Sequence, residues 1–71
     1  MDKHDLSTPY QILQEALARE IEAREFYSEL AARCHVDFVR ELLERLKDEE
    51  SKHLRLVQNM ITRLNLGKDV V

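Results

Sequence analysis

The chain has 71 residues, with 11 Lys+Arg against 14 Asp+Glu, a net charge of −3, and one each of cysteine, glycine and proline. That length allows one domain, and a marginal one, because so short a chain buries only about 60% of its unfolded surface. The interleaved charges hold no basic block for nucleic acid, no apolar run is long enough to span a bilayer, and the single thiol cannot make an internal disulfide and fits a reducing, cytoplasmic setting.

So little Gly and Pro among so many Leu, Ala, Glu, Arg and Lys points to helix almost throughout. The opening MDKHDLSTPY lacks the apolar core of a secretion signal, and His4 reads as a solvated residue ahead of the first helix. In STPYQ, Thr8 is placed to cap a helix, Pro9 suits its first position, and Gln11 closes a capping box. Helical periodicity then predicts a first helix over residues 9–33. CHVD interrupts it as a turn over residues 34–37, with Asp37 as the cap of a second helix over residues 38–64. Asn65 and Gly67 are stop signals, so residues 65–71 are expected to be a flexible tail. Cys34 reads as a small packed residue near the turn and His35 as solvated. A connection this short makes the helices antiparallel neighbours in one helical-hairpin domain. Glu15/Arg19, Glu29/Arg33, Glu41/Arg45 and Asp48/Lys52 are spaced as helix-surface ion pairs, each worth a few tenths of a kcal/mol.

Stepping by alternating threes and fours gives Leu13, Ala16, Glu20, Ala23, Tyr27, Leu30 and Cys34 on the first helix. On the second it gives Leu43, Leu46, Glu50, His53, Val57, Met60 and Leu64. Both read as seams that face a partner helix, flanked by Leu17, Ile21, Ala31, Phe38, Val39, Leu42 and Leu56. Ile12, Phe26 and Leu54 fall off the main seam, as surface residues or as part of a second interface. Three positions break the apolar pattern: Glu20, Glu50 and His53. Glu20 lies fifteen residues before His35 and Glu50 fifteen after it, so the hairpin brings both carboxylates to one height. His53 is one turn on, on the face of Glu50. The three form one cluster.

Carboxylates in an apolar seam are costly unless paired or bound to a metal, and two at one level repel. A divalent cation removes that conflict. Oxygen donors with an imidazole suit iron or manganese, with zinc left open. One hairpin cannot surround such a site, and its apolar surface is wider than one seam. A two-fold homodimer with its axis near the Glu20/Glu50 level makes an all-α four-helix bundle and doubles the cluster to four glutamates and two histidines, the ligand set of ferritin-like di-iron bundles.

EIEAREFY, with Glu20, Ala23, Phe26 and Tyr27, followed by DEESKH, resembles the rubrerythrin and ferritin-like superfamily over about residues 16–64. More closely it resembles the two-helix half-ferritins of the encapsulated-ferritin family. The resemblance implies a di-iron ferroxidase centre completed by subunit pairing, which oxidises Fe(II) with oxygen or peroxide. It implies Glu20, Glu50 and His53 as metal-binding and catalytic residues, with Glu50 bridging. It also implies Tyr27 as a tyrosine beside the metal that orients the ligands by hydrogen bonding. Rings of such dimers inside an encapsulin-type shell, a protein nanocompartment, belong to the same picture. NLGKDVV is not the extension that docks encapsulated members to a shell, Arg19 stands where an outer acid is expected although Glu22 fits, and no C-x-x-C unit follows as in complete rubrerythrins. Bulk iron storage by this chain alone is not expected. Glu49 reads as a solvated neighbour of the site or a supplementary ligand.

The competing expectation is a metal-free helical-hairpin dimer that serves as a protein interaction module. There Glu20, Glu50 and His53 set the register, as buried polar residues do in coiled coils.

Overall fold

The computed structural model describes the backbone of residues 8–70 and the side chains of residues 8–67. His4 and Val71, part of the expected tail, lie outside the described residues. Two helices pack side by side as a hairpin: α1, Pro9–Arg33, and α2, Asp37–Val70. No described helix is long and apolar enough to cross a membrane.

The start of α1 follows its residues. Thr8 is extended, its side-chain oxygen accepts from the Gln11 backbone N–H at 3.2 Å, and its hydroxyl donates to Gln11 Oε1 at 2.9 Å. The glutamine therefore closes on the threonine hydroxyl, where a capping box would close on the backbone N–H. At α2 the expected cap shifts by one residue. The Val36 carbonyl accepts from the N–H groups of Val39 at 3.1 Å and Arg40 at 2.9 Å, so Asp37 is the first helical residue. Its carboxylate is held instead by Arg40 at 2.8 Å, and it still sits where a negative charge faces exposed helix N–H groups. Arg40 also donates to the Cys34 carbonyl oxygen at 3.3 Å, which ties the turn together. Cys34 is half-buried, with its thiol 3.5 Å from the Val36 oxygen, and His35 is exposed.

The expected flexible tail is a correction. α2 runs through Asn65 and Gly67 to Val70. A glycine ends a helix by adopting the left-handed conformation, and no described glycine has a positive φ. Right-handed glycine inside a helix costs only about 1 kcal/mol, which does not stop propagation.

Burial corrects the seam of α2 as well. The most buried residues are Ala31, 3% exposed, and Leu54, 8% exposed. Around Leu54, half-burial recurs at Leu43, Leu46, Lys47, Glu50, Ser51, Val57, Ile61 and Leu64, while His53 and Met60 of the expected seam are exposed. The face turned to α1 therefore alternates through Lys47, Leu54 and Ile61, and Leu54, expected off the seam, is its anchor. Lys47 fits there by keeping its ammonium 3.0 Å from Glu44 while its stem is covered. None of the four expected surface pairs closes within 4 Å among the described residues. The helix ion pairs that form, Asp37–Arg40 and Glu44–Lys47, are three apart. Exposed pairs gain too little in water for spacing alone to hold them.

Candidate metal centre

α1 contributes Glu20, and α2 contributes Glu50 and, one turn later, His53. The hairpin brings them together: each offers a ligand atom, all within 4.8 Å of one another. His53 Nδ1 lies 3.5 Å from Glu50 Oε1 and 3.6 Å from Glu20 Oε1. The side chains of Glu20 and Glu50 are 25% and 20% exposed, and that of His53 is 49% exposed. The carboxylates sit between the helices with the imidazole at the open edge. Glu20 is carried by α1, whose start Thr8 caps. Glu50 is held by Leu54, which anchors the next turn of the same face.

Glu20 Oε1 is closed off from solvent and has no hydrogen-bond partner among the described residues. A buried carboxylate oxygen left unpaired is costly. The carboxyl of Glu20 is accordingly pushed above its ordinary range. The main cause is the side-chain interaction with the neighbouring Glu50 carboxyl, followed by burial and the negative charge of Glu50, with His53 acting in the opposite direction. Folding therefore favours protonated Glu20. That contribution is complete below the ordinary carboxylate value and is lost as pH rises through the raised one. Metal-free protein is expected to gain stability from Glu20 on mild acidification from neutral pH, and Glu20→Gln should remove that part of the trend. Melting curves across pH check this, and identical pH profiles for the two proteins contradict it.

An orphaned, sealed carboxylate oxygen, a second carboxylate and an imidazole are a donor set that fits a divalent cation. Such an ion would satisfy Glu20 Oε1 and relieve the repulsion between the glutamates. Three donors do not complete a six-ligand shell. A surface groove of about 660 Å³, lined by Glu22, Phe26 and Glu29 among others, contains none of the three.

Tyr27 sits two turns after Glu20 on α1. It is half-buried and packs edge-on against Phe26, ring centres 5.5 Å apart, and seven residues of helix set it about 10 Å along the axis from Glu20. Glu22 and Glu49 are exposed. Ala31, expected beside the seam, is buried, whereas Leu54, expected off it, is the residue that sequence reasoning misplaced. The available signal for Leu54 was its place four residues after Glu50, on the same helix face.

Searches of curated proteins and of solved structures gave no significant match. A family model described as Rubrerythrin matches residues 11–71, a span that contains all but the first two residues of α1, the whole of α2 and all three clustered side chains. The chain belongs to the rubrerythrin family, within the ferritin-like superfamily.

Proposed function

We infer that this chain binds iron through Glu20, Glu50 and His53, and that a second copy completes a di-iron carboxylate centre that oxidises Fe(II) with oxygen or peroxide. The observation that carries the reading is the sealed, unpartnered Glu20 oxygen facing a carboxylate and an imidazole from the other helix. Family membership supports iron as the metal. The need for a second copy rests on the three-donor set and on the apolar side chains left exposed, among them Ile12, Phe26, Leu42, Leu56 and Met60.

Each residue has a task in this reading. Glu50, the more covered carboxylate, would be shared between two ions, while Glu20 and His53 would each help to hold one. Protons compete with a metal for these side chains, so binding would strengthen as pH rises. The carboxylates favour the more highly charged product, Fe(III), over Fe(II). Two Fe(II) ions each give one electron, reducing oxygen to peroxide or peroxide to water. His53, half-exposed at the edge of the cluster, is the donor nearest to incoming solvent.

A ligand that binds only the folded chain stabilises it by about 2.7 kcal/mol at a hundredfold excess over Kd. For a domain of this size that raises Tm by roughly 10–20 °C. Melting curves over a series of Fe(II) or Co(II) concentrations check this, and a Tm indifferent to metal would sink the reading. Admitting air to the anaerobic iron-loaded protein should then raise the near-ultraviolet absorbance through Fe(III)–carboxylate species. Loaded protein that stays unoxidised would reduce the site to metal binding without redox chemistry.

A further inference from the structure

One helical turn from the carboxylates, toward the hairpin turn, the chain carries the opposite charge. Glu20 and Glu50 stand fifteen residues either side of His35; Arg24 stands eleven before it and Lys47 twelve after it, so these two cations are level with each other. Arg24 lies four residues after Glu20 on α1, about 6 Å along the axis, and Lys47 lies three before Glu50 on α2, about 4.5 Å. Both are half-buried. They line one groove of about 250 Å³, completed by the exposed residues Glu25 and Ser28. The hairpin thus has a layer of two carboxylates and, beside it, a layer of two cations.

Long stems that cover apolar surface account for the burial of these residues but not for their charge. Two like charges at one level repel. Lys47 is partly offset by Glu44, 3.0 Å away and 50% exposed, and Arg24 closes no ion pair within 4 Å among the described residues. In the metal-free chain the two layers offset each other. A bound ion reverses the balance, because it neutralises the carboxylates and meets the cations as like charges. That repulsion grows in proportion to the charge of the ion. It is therefore larger for Fe(III) than for Fe(II), opposite in direction to the preference of the carboxylates themselves.

On the reading that Glu20, Glu50 and His53 hold the metal, we propose that Arg24 and Lys47 set how tightly it is held. From the layer beside the carboxylates they keep the affinity down, and they keep it down further for a trivalent ion than for a divalent one. A centre that oxidises iron repeatedly has to release Fe(III), and two carboxylates without this layer would retain it.

Arg24→Gln and Lys47→Gln each remove one charge and keep an unbranched stem. For charges about 8 Å apart in water, one unit of charge alters the affinity for a divalent ion about fivefold and for a trivalent ion about tenfold. Titrations with Co(II), followed by its absorbance, and with Tb(III), followed by its luminescence, should show each variant binding the first ion about fivefold and the second about tenfold more tightly than the parent. Arg24→Lys and Lys47→Arg disturb the packing but keep the charge, and should bind as the parent does. Arg63→Gln makes the same change in net charge at an exposed position, about 20 Å along α2 from Glu50, and should leave both affinities within about twofold. Affinities in Arg24→Gln and Lys47→Gln no higher than in Arg63→Gln would overturn the role of the cation layer, as would equal gains for the two ions, and either result would leave the metal site standing. A parent chain that binds neither ion would remove the metal reading and this proposal together.

Discussion

Glu50→Ala is expected to eliminate stoichiometric metal binding, with affinity falling by more than about 100-fold. Loss of a residue that merely orients a ligand costs about 10–100-fold, and Glu50 is proposed as a ligand itself. It faces Glu20 across the hairpin and lies beside His53, which is 3.5 Å away. Its removal leaves Glu20 and His53, too few donors to hold a hard divalent ion against water. The metal-free variant should fold at least as well as its parent, because the change removes one of two carboxylates at the same level. Helical circular dichroism retained together with a flat metal titration is the expected pair of results. Wild-type affinity in Glu50→Ala would show that the metal sits elsewhere.

Leu54→Ala is the second large effect. Leu54 is 8% exposed and occupies the middle of the face that α2 turns to α1. Truncating a buried leucine costs about 2–5 kcal/mol, through lost burial and the cavity left behind. A small domain has only about 5–15 kcal/mol in total, so the variant should denature at much lower urea concentration and fail to bind metal at 37 °C. Leu54→Met, which conserves volume, should cost less than about 1.5 kcal/mol. Gln58→Ala, on the exposed surface, should stay within about 0.5 kcal/mol of wild type. Equal urea midpoints for Leu54→Ala and Gln58→Ala would mean that the hairpin is not held at this contact.

The contrast between these two residues shows what the sequence could and could not specify. Glu20, Glu50 and His53 were legible as a cluster because helices are rigid rulers. A fixed rise and a short turn leave one level at which residues fifteen either side of His35 can meet, and the structure places their ligand atoms together. Leu54 was not legible because two alternations share Leu43, Glu50, Val57 and Leu64. One passes through Leu46, His53 and Met60, the other through Lys47, Leu54 and Ile61. Both sets are largely apolar because α2 has two faces to cover, one against α1 and one left open. A single sequence does not say which face is which. The basic residue at Lys47 argued against its own set, until its stem is seen to pack while its ammonium reaches Glu44.

The end of α2 was misread for a related reason. Asn65 and Gly67 permit a stop without requiring one, and Gly67 has open space around it and helical backbone. The capping shift at Asp37 is smaller: an aspartate just before a helix and one in its first turn both meet the positive helix end, and Arg40 draws the carboxylate away from the cap. Tyr27 entered through resemblance alone. A tyrosine seven residues from Glu20 on the same helix lies two turns further along the same face.

The central claim is that three side chains from two helices hold an iron ion, and that a second copy completes the site. An anaerobic Fe(II) titration followed by both binding and sedimentation tests this most directly. Saturation at one iron per chain, accompanied by conversion to a dimer, is the predicted result. Its counterpart, the Glu20→Gln, Glu50→Gln, His53→Leu variant, should remain helical and bind none. Iron that fails to saturate, or binds equally well to that triple variant, would contradict the account and return the cluster to a polar device for setting helix register.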